Sequence, residues 1–300
     1  MHRWLRIPFA AAIACGVVLS LAASSLAETV MEKVARTGVL TVGSPLGIIP
    51  FSYVNDRQEL TGLSVNLVEL IRRKLEVQVG RPVRVEYAPI NNLGDMVPLV
   101  QAGAIDVTCG SQFTWDRDQF VDFSIPYYYS GIQLLTKKTS QLNGSPESLV
   151  GKRIGVIPNS LGETVIKTIQ PRATLVTFNE PQGALAALVS GQVDGVAGDS
   201  LILAGAVLRL NSDEYVQVPE LPYTNYGIAC MTRENNSRFL NTTNLAIAHL
   251  MQGYLVGDEK YTAMIDPWFG PNGLIQIPED RLRDYFTTVI NSHESIRLPQ

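Results

Sequence analysis

The sequence predicts a two-lobed α/β protein in which each lobe is a mostly parallel sheet with helices on both faces, and two crossover strands join the lobes. Strand-like and helix-like segments alternate along the chain, and the order of the first half recurs in the second. The clearest repeat pairs residues 100–106 with residues 188–194, because each stretch has a helix end, a glycine and a strand that opens on an aspartate. Hydrophobic residues make up 46% and charged residues 17% of the 300, which excludes a disordered chain and supplies a large core.

Residues 1–27 have the pattern of a secretory signal peptide. Two arginines precede an apolar run over residues 7–21, and small residues occupy both cleavage-site positions before Glu28. The apolar run is shorter than the roughly 20 residues that a membrane-spanning helix needs, and an uncleaved anchor is the alternative. We therefore predict cleavage after Ala27 and a periplasmic or extracellular location.

Charge and rare residues exclude several function classes. The whole chain has 24 basic and 28 acidic residues, and loss of the two arginines in the signal peptide makes the mature protein more acidic still. Lys and Arg nowhere cluster as a phosphate backbone requires, so nucleic acid is not an expected partner. His249 and His293 are too few for a histidine metal site or a catalytic triad, and we expect no metal or cofactor. Cys109 and Cys230 could form one disulfide, which a domain of this size does not need for folding.

The first lobe begins with a helix and an apolar strand. Apolar residues recur at helical spacing between Leu63 and Leu75, and residues 83–87 alternate as a strand requires. Gly110 is expected to end the third strand. In order, the predicted elements are a helix over 30–36, a strand over 38–44, a helix over 63–75, a strand over 83–87, a helix over 94–102 and a strand over 105–109.

The second lobe repeats this order with a strand over 153–158, a helix over 160–169, a strand over 173–178 and the helix–glycine–strand unit of 188–194. Extended apolar stretches at 127–137 and 223–231 carry the chain out of the first lobe and back. Helices over 238–253 and 279–290 are then expected to pack on the first lobe.

These elements divide the chain into a signal peptide (1–27), the first part of lobe 1 (28–127), a hinge crossover (128–137), lobe 2 (138–222), a hinge return (223–231) and the second part of lobe 1 with a C-terminal extension (232–300). Ligands of open α/β sheets bind beyond the carboxyl ends of the strands. We therefore expect the ligand site in the cleft between the lobes, and a monomer as the default state.

Short motifs spread over about residues 30–270 carry a family resemblance. They lie at 38–43, 50–53, 60–62, 114–124, 151–156, 193–199, 226–229 and 268–269, and one of them reads Thr114-Trp115-Asp116-Arg117. Together they resemble the periplasmic amino-acid-binding proteins, the family 3 solute receptors of ABC transporters for polar amino acids. The resemblance implies a type II periplasmic-binding-protein fold, an L-amino acid ligand and ABC permease subunits as partners. Residues 109–111 and 134–138 resemble the branch that binds acidic amino acids.

Arg117 and Asp199 are the first two candidate ligand-binding residues. In the family that the chain resembles, the arginine of this block holds the α-carboxylate, to which a guanidinium offers two parallel N–H groups. Asp199 follows an apolar strand, where its carboxylate can accept hydrogen bonds from the α-ammonium group. For Arg117 the alternative is an ion pair with Asp116, Asp118 or Asp122. For Asp199 the alternative is capping of the next helix.

Ser160 and Leu161 are candidates because they open a helix whose free N–H groups attract a carboxylate. The alternative is a capping box formed by Ser160 with Glu163.

Ser111 and Gln112 are candidates because they follow Gly110 at the predicted end of a strand, where a polar turn is the alternative. Phe51, together with Tyr53, is a candidate for lining the cleft, with a place in the core as the alternative. Gln112 and Ile48 depart from the family pattern where the side-chain pocket is expected.

The sequence thus predicts a protein that binds a polar or acidic L-amino acid by hinge closure and presents it to a permease. One alternative is an exported sensor or orphan receptor whose partner is a separate chain. Another is an exported enzyme on the same scaffold, similar to cyclohexadienyl dehydratase, with Glu163 or Glu180 as the acid. We favour the non-enzymatic interpretation and assign no catalytic residue.

Overall fold

The computed structural model describes residues 28–210 and 212–293, so the predicted signal peptide lies outside the described residues. Up to the first crossover the elements are α1 (Val30–Thr37), β1 (Val39–Ser44), β2 (Gly47–Ile48), β3 (Ser52–Val54), β4 (Leu60–Thr61), α2 (Leu63–Val79), β5 (Arg84–Pro89), α3 (Met96–Gln101), β6 (Val107–Gln112), α4 (Trp115–Asp118) and β7 (Asp122–Phe123). Then follow β8 (Tyr128–Lys137), β9 (Arg153–Val156), α5 (Leu161–Ile169), β10 (Thr174–Thr177), α6 (Pro181–Val189), β11 (Gly195–Asp199), α7 (Ser200–Leu210), β12 (Tyr215–Val218) and β13 (Asn225–Thr232). The last elements are α8 (Ser237–Leu255), α9 (Glu259–Ile265), β14 (Phe269–Gly270), β15 (Ile275–Gln276) and α10 (Glu279–His293).

The main sheet follows the order β10-β9-β11-β8-β13-β6-β1-β5. Strand β1 pairs in parallel with β5 and β6, and β9 pairs in parallel with β10 and β11. Between these two parallel groups, β8 and β13 pair with each other in antiparallel fashion, and each also joins one group: β8 pairs with β11, and β13 with β6. Two parallel halves are therefore joined by two strands that cross between them, as the sequence predicts.

The repeated aspartates have the same structural task in both lobes. Asp106 precedes β6 and accepts hydrogen bonds from the backbone N–H of Thr41 and from Lys33 Nζ, both at 2.8 Å. Asp194 precedes β11 and accepts from the backbone N–H of Arg153 at 2.8 Å and from its guanidinium at 2.8 Å. Each carboxylate thus ties the start of a neighbouring parallel strand to its own strand.

Helices cover both faces of the second lobe's sheet. Val196 of β11 packs in a cluster with Ala184 and Leu188 of α6, whereas the next residue, Ala197, packs in a cluster with Ile166 of α5. Successive strand residues point to opposite faces, so this alternation shows that each face has its own core.

Gly110 does not end its strand, which corrects the sequence expectation. Strand β6 continues to Gln112 because β13 pairs with it as far as Ile228. Gly110 has a φ of +89° within this strand, and a Cβ at this position would lie 3.2 Å from Cβ of Phe51. A glycine is needed here for its backbone conformation and for the close approach of that ring.

Cys109 and Cys230 form a disulfide, a pairing that the sequence left open. The two residues lie opposite each other on the adjacent strands β6 and β13, and both are buried. In the described part of the chain, no helix combines the length and hydropathy that crossing a membrane requires.

Candidate ligand-binding site

A cleft of about 100 Å³ lies between the lobes. Lobe 1 contributes the end of β6 and the segment around Leu93, and lobe 2 contributes the start of α5 and the end of β11. Arg117 and Asp199 both line this cleft, from different lobes. The structure therefore brings together the two charged residues that the sequence singled out.

Arg117 extends from α4 and is half-buried. Its Nη1 donates a hydrogen bond to the backbone carbonyl of Gln112 at 3.2 Å, and no carboxylate of the described residues forms an ion pair with it. The ion-pair alternative is therefore absent from the described chain. Burial lowers the pKa of Arg117, although a guanidinium stays protonated. A desolvated cation without a counter-charge is costly, and it favours an anion in the cleft.

Asp199 is almost fully buried at the end of β11. Its Oδ1 accepts hydrogen bonds from the backbone N–H groups of Leu201 at 2.9 Å and Ile202 at 3.1 Å, and from Ser130 Oγ at 2.8 Å. Asp199 therefore caps α7, as its alternative interpretation predicted. Burial raises the pKa of Asp199, and these hydrogen bonds oppose the rise.

Tyr226 on β13 links Asp199 to Gln112. The tyrosine hydroxyl donates to Asp199 Oδ2 at 2.6 Å and accepts from Gln112 Nε2 at 2.9 Å. Burial is the larger cause and the negative charge of Asp199 the second of a pKa of Tyr226 well above its usual value. The hydroxyl therefore stays protonated. A polar chain thus runs from lobe 1, through a crossover strand, to lobe 2. Sequence reasoning missed Tyr226, and the only signal for it was its place in the motif at 226–229.

Ser160 lines the cleft as the cap of α5, and its Oγ accepts from the backbone N–H of Glu163 at 3.2 Å. The Glu163 carboxylate accepts from the N–H of Asn159 at 2.8 Å and pairs with Lys167 at 2.8 Å, and the Lys167 hydrogen bond lowers the pKa of Glu163. The N–H groups of Leu161 and Gly162 donate to no other described residue. The first turn of α5 therefore offers free donors, and the glycine of this pair is part of the cleft wall.

Phe51 and Ser111 do not line the cleft, which corrects two expectations. Phe51 is 1% exposed and packs edge to face on Phe269, with ring centroids 6.4 Å apart. Ser111 is also buried, and its Oγ has no hydrogen-bond partner among the described residues. The alternation of β6 separates Ser111 from Gln112, which does reach the cleft. Tyr53 likewise packs on Trp268, and the side chain of Leu161 packs on the main core.

Apolar side chains form most of the remaining cleft wall. Lobe 1 contributes Ile48, Leu93 and Met96, and lobe 2 contributes Ile157, Ile202 and Leu203. Among the lining residues in the described chain, only Arg117 and Asp199 carry a charge. Glu180 lies outside this cleft, in an adjoining open hollow.

A family model described as bacterial extracellular solute-binding proteins, family 3, matches residues 40–271. The chain belongs to this family. The family match covers both parallel halves of the sheet and both crossover strands.

Named relatives of this solute-binding protein differ in ligand. A glutamate/aspartate import solute-binding protein from Salmonella typhimurium is 26% identical over 250 residues, which is 81% of this chain and 80% of the relative. An ancestral arginine-binding protein, solved with arginine bound, is 28% identical with a TM-score of 0.69, covering 78% of this chain and 99% of that one. An ancestral amino-acid-binding protein described as a precursor of cyclohexadienyl dehydratase is 25% identical with a TM-score of 0.68, covering 79% and 98%.

Proposed function

We propose that this family 3 protein binds a free L-α-amino acid in the cleft between its lobes. The observation that carries the proposal is the half-buried guanidinium of Arg117, without an acidic partner among the described residues, in the same cleft as the carboxylate of Asp199. A zwitterionic amino acid presents one carboxylate and one ammonium group, and it matches this pair of charges.

Each end of the ligand has a group to receive it. The α-carboxylate takes two N–H donors of Arg117 from lobe 1 and the free N–H groups at the start of α5 from lobe 2. The α-ammonium donates to Asp199 Oδ2, which accepts one hydrogen bond from Tyr226 and, as a carboxylate oxygen, has capacity for another.

Closure of the lobes about β8 and β13 completes the site. A ligand that contacts both lobes favours the closed arrangement, whereas a simple carboxylate or amine makes only part of the contacts. The two lobes already meet where Gln182 Nε2 of α6 donates to the carbonyl of Gly47 at 2.9 Å.

We further propose that the chain is exported, with cleavage after Ala27, and that it delivers its ligand to the membrane subunits of an ABC importer. Support comes from the family match and from the name of the Salmonella typhimurium relative, an import protein. The sensor alternative shares the same binding site. The enzyme alternative has less support, because Glu163 is held by Lys167 and by the Asn159 N–H and Glu180 is exposed in the outer hollow.

A thermal-shift panel of the twenty amino acids tests the proposal. We expect one or a few to raise the unfolding temperature, since a ligand that binds only the native state stabilises it. Arg117→Gln should abolish this shift without lowering the unfolding temperature of the ligand-free protein, because it removes a desolvated charge. Arg238→Gln, an exposed arginine outside the cleft, is the matched control and should keep the shift. A flat panel at millimolar concentrations, or full affinity in Arg117→Gln, would contradict the proposal.

A further inference from the structure

We infer that the amino acid bound in this cleft has an uncharged, apolar side chain. The inference rests on the proposed function, because it assumes that Arg117 and Asp199 hold the two ends of a zwitterion. It departs from the acidic or polar side chain that the sequence motifs predict.

The cleft has no further charged residue among its described lining to pair with a charged ligand side chain. Arg117 and Asp199 are the charged residues among its described lining, and the α-carboxylate and α-ammonium of the ligand match them one to one. A third charge on the ligand would enter a desolvated site without a counter-ion. Burial of an unpaired charge is strongly unfavourable, so glutamate, aspartate, lysine and arginine are all penalised.

Among the described residues that line the cleft, three have neutral polar side chains, and two of these already have a partner within the protein. Gln112 uses its amide N–H on Tyr226, and Ser160 Oγ accepts the N–H of Glu163. Asn159 is exposed at the rim, with a left-handed φ of +59°. Gln112 thus binds Tyr226 and Ser160 binds the first turn of α5, and apart from these groups, Asn159 and the two charged residues the described lining is apolar.

The rest of the cleft wall is apolar on both lobes. Ile48, Leu93 and Met96 come from lobe 1, and Ile157 and Leu203 come from lobe 2. When these two surfaces close on an apolar side chain, apolar area of both lobes and of the ligand is removed from water. A polar side chain in the same place would lose its hydration without gaining partners.

The adjoining hollow does not reverse this preference. It shares Pro45, Ile48 and Pro181 with the cleft and continues outward to Glu180 and Arg209. Both of these charged residues are exposed, and their charges are opposite. A long ligand side chain that reached the hollow would therefore find no net charge to select an acid or a base.

Isothermal titration of the mature protein with L-amino acids of similar side-chain length tests the inference. The series is norleucine, methionine, glutamine, glutamate and lysine. We expect norleucine or methionine to bind at least about tenfold more tightly than glutamate, glutamine or lysine, because only the apolar members avoid an uncompensated desolvation. Glutamate, lysine or glutamine binding as tightly as the apolar pair would overturn this inference and leave the proposed function standing. Failure of all twenty amino acids would overturn the proposed function itself.

A charge placed on the apolar wall provides a second test. Met96→Lys should narrow the preference for norleucine over glutamate by at least about tenfold, because the wall then offers a counter-ion. Leu221→Lys is the matched control, since Leu221 is 80% exposed and outside the cleft, and it should leave the preference unchanged. An unchanged preference in folded Met96→Lys would place the ligand side chain elsewhere and overturn the inference.

Discussion

Asp199 caps helix α7 with one carboxylate oxygen and leaves part of the other for a ligand. Oδ1 accepts from two backbone N–H groups and from Ser130, whereas among the described residues only the Tyr226 hydroxyl donates to Oδ2. The fold therefore orients this buried charge before any ligand arrives. Such preorganisation lowers the cost of ordering the site on binding.

The raised pKa of Asp199 predicts an acid limit to ligand binding. A bound ammonium group lowers this pKa again, so the affinity is complete above the pKa of the ligand-free protein and is lost as the pH falls through it. Arg117 stays protonated and Tyr226 stays neutral at acid pH, so of these three side chains only Asp199 changes its charge as the pH falls. Affinity measured by calorimetry from neutral to acid pH should show this loss.

Asp199→Asn is the matched variant for that measurement. Asparagine is also a preferred helix cap, so α7 should remain capped. We expect the variant to bind amino acids at least about tenfold more weakly, to lose the acid limit and to bind N-acetyl amino acids as the wild type does. An equal loss for free and N-acetylated ligands would leave helix capping as the only role of Asp199.

At this scale the sequence could single out Asp199 and Ser160 because they lie at recognisable strand and helix boundaries, and Arg117 through the family resemblance of the motif at 114–124. It could not identify Tyr226, whose partners Gln112 and Asp199 are 114 and 27 positions away in the chain. For Phe51 the sequence left the cleft and the core as alternatives, because only the folded chain shows Phe269 packing against its ring.

Helix α7 and the segment before β3 form a close contact between the lobes. Gly205 lies on the buried side of α7, and a Cβ added to it would be 2.7 Å from the carbonyl oxygen of Ile49 and 2.8 Å from its Cβ. A glycine at this point therefore allows the lobes to meet.

Gly205→Ala should weaken ligand binding, because the added methyl group opposes the approach of the two lobes. Alanine stabilises a helix relative to glycine by up to about 1 kcal/mol, whereas its methyl group opposes the closed arrangement. We expect the dissociation constant to rise at least about tenfold, measured by calorimetry. Gly183→Ala on α6 is the control, because its Cβ would meet Phe178 at an ordinary 3.5 Å. Similar affinities for both variants would argue against closure at this contact.

The disulfide joins strands β6 and β13, one in lobe 1 and the other a crossover strand. It closes a loop with a sequence separation of 121 residues, and a crosslink of that span restricts the unfolded chain. Replacing Cys109 and Cys230 together by serine should lower the free energy of unfolding by about 2–4 kcal/mol in urea titrations. Because the strand pairing stays in place, the free energy of ligand binding should change less than the free energy of unfolding. A loss of binding in the folded variant would contradict this view.

Among the elements, most of the longer helices and the parallel strands follow from hydrophobic periodicity, as α5 over Leu161–Ile169 illustrates, whereas the short helices α4 and α9 were not predicted. The end of β6 did not follow from it. A glycine such as Gly110 is typical of the end of a strand, but pairing with β13 extends β6 past it. Local signals therefore mark the elements better than they mark where pairing with a distant strand stops.

For the whole molecule, hinge closure predicts compaction on ligand binding. Small-angle scattering should show a smaller radius of gyration when the preferred amino acid is added at saturating concentration. Arg117→Gln should show no such change, because the ligand then lacks its anchor in lobe 1. An unchanged radius in the wild type at saturation would mean that binding does not close the lobes.

The alternating pattern and its repetition determined the α/β class, the two lobes and their crossover strands without any knowledge of contacts. Local periodicity and turn residues are sufficient for that, and the paired Asp106 and Asp194 repeat the same strand-tying contact in each lobe. Only the tertiary structure decided the Cys109–Cys230 bridge, the burial of Phe51 and the apolar wall that shares the cleft with the two charged residues. These features depend on residues far apart in the chain, whose meeting is a result of packing and strand pairing rather than of any local pattern.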